Sequence, residues 1–333
     1  MKILFVGLGS IGQRHLRNLQ RLGTFEYVAL RSRGRALPDE FSQLPIRVVA
    51  SVEEAIAARP DVAFLCAPPV VQQTVLGPLV RETRCHFLIE KPIAPTLDGL
   101  GDCVRILEAE RRKSLVGYNL RFHPVSAVVR DTLQRGMLGR VCSVRACVGQ
   151  YLPDWHPHED YRDGYSANRS LGGGVLLDLI HEIDLIYSWF GKPEAVKAMA
   201  ATVSALDIDT EDVAAIVCRL KGGAIGSIQL DYVQRVPTRN GTIIGDAGTL
   251  SYDLIKNECR IDRPGGDPLV YAFPDFVRNE MYAAEAAQLL EAIRTDSPCT
   301  PSLREGVDVL DIALRAKSDS GVPESSPQRM WGT

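Results

Sequence analysis

The stretch KILFVGLGSIGQRHLRNLQRLG, residues 2–23, decides the fold of the first part of the chain. KILFV predicts a buried strand, and the helical pattern that follows ends on a glycine. Between them, Gly7, Gly9 and Gly12 form the pattern GxGxxG. The first glycine permits a tight turn, the second lets backbone approach a pyrophosphate, and the third allows close packing of helix on strand. In this context the pattern predicts a dinucleotide-binding loop.

The alternation of strands and helices continues outward from this loop. EYVAL, IRVV, DVAFL, CHFLIE and SLVGYN predict further strands, and helices between them imply right-handed parallel crossovers. Farther on, alternating runs such as EDVAAIVCRL predict antiparallel strands with helices on one face. We therefore predict an α/β protein with a doubly wound, parallel Rossmann domain over 1–121. An α+β domain with a large open, mostly antiparallel sheet follows over 122–320, and a polar tail over 321–333.

The composition is that of an ordinary globular protein, with 45% hydrophobic residues, 24% charged residues and a net charge of -3. No basic block argues for nucleic acid, so small-molecule chemistry is expected. The eight cysteines show no CxxC pair, and the chain opens on a strand without a signal peptide or a span of about 20 apolar residues. These features predict a cytoplasmic protein with reduced thiols and with no nucleic-acid or membrane partner.

The end of the second predicted strand bears on which dinucleotide binds. An acidic residue about 20 residues past the glycines would bind the ribose hydroxyls of NAD. The strand instead ends in ALRSRGR, and the first carboxylate is Asp39. Arg31, Ser32 and Arg33 can pair with a 2′-phosphate, because a guanidinium offers a bidentate donor fork. This turn favours NADP(H) over NAD(H), and the alternative is a solvated basic loop.

Several motifs in a fixed order carry a resemblance to a known family. They are the glycine loop, CAPP at 66–69, EKP at 90–92, GYNLRFHP at 117–124, a glycine-rich helix at 172–186 and IIGDAGTL at 243–250. By these motifs the chain resembles the Gfo/Idh/MocA family, the glucose-fructose oxidoreductase and inositol dehydrogenase group. The pairing of DWHPHEDYRDGYSA with GGGVLLDLIHEID resembles a subset associated with bacterial surface glycans.

The resemblance implies a Rossmann domain followed by an open-sheet domain, and often a homodimer or homotetramer through the C-terminal sheet. It implies an NAD(P)-dependent dehydrogenase or reductase that acts on a CH–OH group of a sugar-like substrate. Lys91 would hydrogen-bond the reacting oxygen and relay its proton, on a turn where the Lys–Pro peptide is often cis. The predicted cofactor contacts are Gly7, Gly9, Ser10, Ile11, Gly12, Arg31, Ser32, Arg33, Ala67, Pro68, Gln72, Glu90 and Lys91.

The glycine-rich helix carries two further catalytic candidates. His181 suits proton transfer because an imidazole titrates near neutral pH, and Asp178 could orient it or hold a substrate hydroxyl. The family pattern is DxxxH, whereas this chain has DLIH, which on a continuous helix rotates the histidine by about 100°. Either the helix is wound differently there, or the two residues do not both occupy their usual places. The structural alternative is a hydrogen-bonded core histidine and an aspartate that braces the glycine loop.

No metal is predicted, because Asp178, His181, Glu182 and Asp184 span nearly two helical turns and cannot converge on one ion. The predicted substrate contacts are Asn119, Arg121, Trp155, Tyr161 and Tyr165. Arg121 could pair with a substrate anion or with the protein's own acidic groups. The segment 159–170 is either a mobile cover over a sugar or a plain surface loop.

The leading function is hydride transfer between nicotinamide and a hydroxyl or carbonyl carbon of a sugar, amino sugar, nucleotide sugar or cyclitol. Lys91 and His181 would form the proton relay, and Asp178 would position the imidazole or a substrate hydroxyl. One alternative is an enzyme that keeps its cofactor bound and uses transient oxidation for elimination or glycoside cleavage. Another alternative is a non-catalytic regulator that senses NAD(P). The presence of Lys91, Asp178 and His181 together argues against it.

Overall fold

The computed structural model describes residues 1–31, 37, 39–155 and 159–322. Its strands are β1 Lys2–Val6, β2 Glu26–Leu30, β3 Ile46–Val49, β4 Val62–Leu65, β5 His86–Ile89, β6 Ser114–Val116, β7 Val141–Gly149, β8 Ala195–Ala201, β9 Val213–Arg219, β10 Ile225–Asp231, β11 Thr238–Gly245, β12 Thr249–Asp253, β13 Glu258–Asp262 and β14 Leu269–Ala272. Its α-helices are α1 Ser10–Leu22, α2 Val52–Ala57, α3 Pro69–Glu82, α4 Leu100–Ala109, α5 Pro124–Gln134, α6 Val175–Asp178, α7 His181–Phe190, α8 Asn279–Thr295 and α9 Leu303–Asp319.

The described chain divides into two compact units. The first contains residues 1–118 and 278–307, and the second contains 119–277 and the described residues from 308 onward. The sequence prediction placed 278–307 with the second domain, whereas in the structure this segment packs in the first unit. The reason is a buried face of α8, which includes Tyr282 and Leu289 and lies against α1.

The first unit is built on a parallel sheet with the strand order β3-β2-β1-β4-β5-β6. Its strands are nearly continuous apolar runs because helices cover both faces of such sheets. Ile3, Leu4 and Phe64 are fully buried at its centre. The order reverses between β1 and β4, and ligands bind at the carboxyl edge of doubly wound sheets at this point.

The second unit is built on a sheet with the order β14-β13-β12-β11-β7-β10-β9-β8, in which only the β7 and β10 pair is parallel. Helices α5, α6 and α7 contact it. Along β9, Ala214 and Ile216 are buried while Ala215 and Val217 are exposed, the alternation of a sheet with one covered face. The predicted fold class, a Rossmann domain followed by an open, mostly antiparallel sheet, is confirmed.

Two further observations concern the helices and the cysteines. In the described part of the chain, no helix is both long and apolar enough to cross a membrane. All eight cysteines lie in that part, and each carries a free thiol. Burial raises the pKa of Cys85, Cys218 and Cys259 to about 11. These thiols therefore stay protonated near neutral pH, where the thiolate is the reactive form.

Candidate active site

The glycine loop of the first unit has the shape that a dinucleotide requires. Gly7 follows β1 with a φ of +89°, and a Cβ there would lie 2.9 Å from the carbonyl oxygen of Cys66. A Cβ at Gly12 would lie 2.5 Å from the carbonyl oxygen of Gly7, so glycine is needed for this approach of α1. A Cβ at Gly9 would meet nothing within 4 Å, which leaves open space at the start of the helix. The loop thus fits a pyrophosphate at the N-terminus of α1.

The other predicted cofactor residues of this region lie at the same sheet edge. Ser10 and Ile11 are the first two residues of α1, and Ser10 is exposed. Ala67 and Pro68 follow β4, the strand beside β1, and both are half-buried. They occupy the switch point at which a dinucleotide crosses from one half of the sheet to the other.

The turn after β2 begins with Arg31, which is half-buried and whose backbone N–H donates to the carbonyl oxygen of Val49 at 3.1 Å. Ser32 and Arg33 lie outside the described residues. The predicted pairing with a 2′-phosphate therefore rests on the sequence and on the place of Arg31 at the carboxyl end of β2.

Lys91 lies in the turn at the carboxyl end of β5. Strand β4 lies between β5 and β1 and pairs with both. Neighbouring strands are about 4.8 Å apart, so the lysine turn is roughly 10 Å along the sheet edge from the glycine loop. The Lys91–Pro92 peptide is cis, as the resemblance implied. The Lys91 N–H donates to Oε2 of Glu90 at 3.3 Å. The lysine and the glycine loop therefore share one edge of one sheet.

Buried polar side chains surround this turn. Gln72 was predicted to contact the cofactor, and its Nε2 donates to the carbonyl oxygens of Glu90 and Pro92 at 3.0 and 2.9 Å. Nε2 of His15 lies 2.7 Å from Oε1 of Glu90. Glu285 completes a group of three metal-type donors within 4.8 Å of one another. A separation of 2.7 Å is that of a direct hydrogen bond between the imidazole and the Glu90 carboxylate.

In the second unit, the helix predicted over 172–186 is interrupted. Helix α6 ends at Asp178 and α7 begins at His181, with a turn at Leu179 and Ile180 between them. Leu179 has φ -90° and ψ 27°, outside helical geometry. The first of the two predicted alternatives, a helix wound differently at this point, therefore describes the structure, and the rotation of about 100° calculated for a continuous helix does not apply. The shortened DLIH spacing coincides with a local break in the helix.

The carboxylate of Asp178 accepts hydrogen bonds from three hydroxyl groups. Its carboxylate accepts hydrogen bonds from the hydroxyl of Tyr165, from Oγ of Ser166 at 2.5 Å and from the hydroxyl of Tyr232 at 3.2 Å. Burial raises the pKa of Tyr232, and the charge of Asp178 raises it further, so this hydroxyl stays a donor. Asp178 thus braces the turn that contains Tyr165. His181, three residues later, is 8% exposed.

The glycines before α6 pack against that same turn. A Cβ at Gly173 would overlap the carbonyl oxygen of Tyr165, and one at Gly174, where φ is +109°, would overlap the carboxylate of Glu211. Burial raises the pKa of the Glu211 carboxyl group above its ordinary value. The ammonium group of Lys317, also buried and 3.9 Å away, offsets part of that rise. Close packing beneath α6 therefore requires glycine at positions 173 and 174.

The segment 159–171 consists of short 3-10 turns that form hydrogen bonds with neighbouring segments of the same chain. The hydroxyl of Tyr161 accepts the N–H of Asp207 at 3.1 Å, and the N–H of Arg169 donates to Oδ1 of Asp209 at 2.6 Å. Nε1 of Trp155 donates to the carbonyl oxygen of Gln150 at 3.3 Å. These bonds tether the segment to neighbouring chain, and its two predicted roles, a mobile cover over a sugar or a plain surface loop, stay predictions.

The remaining acidic groups of α7 form ion pairs within the second unit. Asp184 is fully buried and accepts from Nε and Nη2 of Arg121, with a shortest distance of 2.7 Å. Glu182 accepts from Nε of Arg239 at 2.8 Å. Arg121 therefore binds the protein's own acid, one of its two predicted alternatives. Asn119, also predicted to contact substrate, is 3% exposed.

Three residues near these sites escaped the sequence reasoning. His15 lies three positions past Gly12 on the buried face of α1, and a polar residue on that face was the available signal. Tyr232 reaches Asp178 across 54 residues of sequence, and Lys317 reaches Glu211 from α9. No local pattern marks either contact, because both depend on how the sheet brings distant strands and helices together.

The fold and the glycine loop define a dinucleotide-binding enzyme with a Rossmann unit and a second, open-sheet unit. A family model described as an oxidoreductase family with an NAD-binding Rossmann fold matches residues 1–118. The GFO/IDH/MocA C-terminal domain matches residues 127–251. The chain belongs to the GFO/IDH/MocA family of oxidoreductases, so the predicted family and the predicted enzyme class are confirmed.

Known relatives extend the comparison over the whole chain. A myo-inositol 2-dehydrogenase of Thermotoga maritima is 24% identical over 340 residues, which cover 95% of each chain. An inositol 2-dehydrogenase/D-chiro-inositol 3-dehydrogenase of Shouchella clausii is 29% identical over 56% of this chain and 52% of its own length. A solved levoglucosan dehydrogenase in complex with NADH and levoglucosan has a TM-score of 0.85 at 17% identity, covering 96% of this chain and 97% of that one. That likeness shows a shared fold.

Proposed function

We propose that this protein transfers a hydride between a nicotinamide dinucleotide and a hydroxyl or carbonyl carbon of a sugar, amino sugar, nucleotide sugar or cyclitol. The observation that carries this proposal is the placement of the Lys91 turn and the glycine loop on one edge of one sheet. The substrate class is supported by relatives whose names specify inositol and levoglucosan as substrates.

The nicotinamide, when bound, supplies the hydride chemistry, so the protein has to manage the proton of the hydroxyl group. In the proposed direction of oxidation, the amine nitrogen of Lys91 would accept the proton of the reacting hydroxyl group, and a nicotinamide held at the glycine loop would supply the hydride acceptor. His181 is proposed as the second residue of the relay, since an imidazole exchanges protons near neutral pH. Asp178 has a positioning role, which is supported by the hydroxyl groups that it binds.

Substrate contacts are proposed in the second unit. Asn119, Trp155, Tyr161 and Tyr165 are kept for this role, because aromatic faces stack on the C–H surface of a sugar and an amide binds its hydroxyls. Arg121 is the weaker candidate because Asp184 already engages its guanidinium. We also propose a homodimer or homotetramer formed through the exposed face of the eight-stranded sheet, and a cytoplasmic location.

We propose NADP(H) as the preferred cofactor, on the strength of Arg31 and Arg33. In the variant Arg31→Asp/Arg33→Ala, the affinity for NADP should fall about 10- to 100-fold, because two guanidinium groups no longer pair with the 2′-phosphate. The affinity for NAD should rise, because a carboxylate then faces the ribose hydroxyls. Titration of both cofactors by fluorescence measures the change. Arg21→Ala, an exposed basic residue of α1, is the matched control. Unchanged NADP binding in the double variant would remove this assignment.

The function is tested by incubating the pure protein with NAD or NADP and a panel of myo-inositol, levoglucosan and UDP-N-acetylglucosamine. Formation of reduced nicotinamide together with an oxidised product is the expected result. Product without net reduction of free cofactor would instead favour the alternative with a permanently bound cofactor. Cofactor binding without any product from a broad polyol panel would favour the regulator.

A further inference from the structure

The turn that carries Lys91 is held from beneath by an amide side chain. Gln72 is 1% exposed, and its one Nε2 atom donates to the carbonyl oxygens of Glu90 and Pro92, on either side of the lysine. A terminal amide has two N–H groups, so one group can satisfy each carbonyl. The backbone is therefore fixed immediately before and immediately after Lys91.

The same turn is held from the side by α1. His15 is fully buried, and its Nε2 lies 2.7 Å from Oε1 of Glu90. The other carboxylate oxygen of Glu90 accepts the N–H of Lys91 at 3.3 Å, and Gly117 leaves the room that this carboxylate occupies. A continuous set of bonds thus runs from α1, the helix that the glycine loop opens, to the backbone of Lys91.

We infer that Gln72 and His15 are positioning residues that fix Lys91 for proton transfer. This inference rests on the proposed function of Lys91. A proton-relay group must lie within hydrogen-bond reach of the reacting oxygen, and a displacement of about 1 Å costs on the order of 100-fold in rate. Because neither residue acts on substrate itself, its loss lowers kcat through the placement of the lysine.

The first test is Gln72→Met, which keeps the length of the side chain and removes both N–H donors. With the panel compound that the wild-type enzyme turns over fastest, kcat should fall about 10- to 100-fold. Binding should still saturate at one cofactor per chain with an unchanged Kd, which a merely misfolded protein would not show. Gln73→Met is the matched control. The Gln73 amide bonds Thr96 and Asp98 farther along the loop, so its kcat should match the wild type.

The second test separates the hydrogen bond of His15 from its packing. His15→Leu removes the group that bonds Glu90 and should lower kcat, whereas His15→Gln keeps an amide nitrogen near the position of Nε2 and should restore most of the rate. Equal rates in the two variants would contradict the role of this bond.

Hydrogen exchange of the free enzyme provides a readout that needs no substrate. In Gln72→Met the amides of Glu90, Lys91 and Ile93 should exchange faster, and in Gln73→Met the change should lie at 96–98 instead. Unchanged exchange at these three amides, or faster exchange with unchanged kcat, overturns the inference. A weaker cofactor Kd with normal kcat also overturns it and makes Gln72 a cofactor contact. Failure of the proposed function appears separately, as undiminished turnover in a variant that lacks the Lys91 amine.

Discussion

Replacement of Lys91 by alanine is expected to lower kcat by on the order of 1000-fold, within the range that general acid–base groups contribute. The reacting hydroxyl then loses the group that takes its proton, while the glycine loop that binds the dinucleotide is untouched. The Kd of the cofactor should therefore stay within about tenfold of the wild type, since Lys91 adds at most one hydrogen bond to that site. Steady-state kinetics and cofactor titration on the same preparation measure both quantities.

Two further variants show what kind of group is required at this position. Lys91→Arg keeps the positive charge but cannot release a proton at neutral pH, so it should remain at least about 100-fold slower than the wild type. Lys221→Ala, at an exposed lysine in the turn between β9 and β10, should have normal kinetics. Near-normal turnover in Lys91→Arg would show that charge suffices and that Lys91 is no proton relay.

Replacement of Gly173 by alanine is expected to destabilise the protein by about 3 kcal/mol, at the upper end of what overpacking costs. The added Cβ would overlap the carbonyl oxygen of Tyr165 and would lie 2.7 and 2.9 Å from those of Ser166 and Asn168. All three are backbone atoms, so no flexible side chain can move aside. The midpoint of urea unfolding should shift to lower concentration.

Gly101→Ala is the matched control for this substitution. Gly101 lies in α4, and a Cβ there would meet nothing within 4 Å. Alanine is favoured over glycine in a helix interior by up to about 1 kcal/mol, so this variant should be as stable as the wild type or slightly more stable. If Gly173→Ala unfolds at the wild-type urea concentration, the close packing beneath α6 is not a feature of the folded protein.

The first unit could be predicted closely because its signals are local. The glycine pattern at residues 7–12 depends on backbone geometry within a single turn, and the alternation of strands and helices is readable from periodicity. Helix α8 was assigned to the second domain, since it follows residues 119–277 of the second unit in sequence and only its buried face shows that it packs in the first unit.

The candidate site of the second unit was less predictable for the same physical reason. The break between α6 and α7 contains Leu179 and Ile180, which carry no helix-breaking signal, so the backbone departs from a helix without a local cause in the sequence. The partners of Asp178 include Tyr232, which is adjacent only through the sheet. Tertiary contacts override local propensity at such positions.

The central claim, hydride transfer to a nicotinamide, is tested most directly by following the hydrogen itself. The protein is incubated with oxidised cofactor and with a panel substrate that carries deuterium on the reacting carbon, and the recovered cofactor is analysed by mass spectrometry. Our account predicts one deuterium on the reduced nicotinamide for each molecule of product, and no transfer with Lys91→Ala on the same timescale. Product formation with no deuterium on the free or bound cofactor would contradict it.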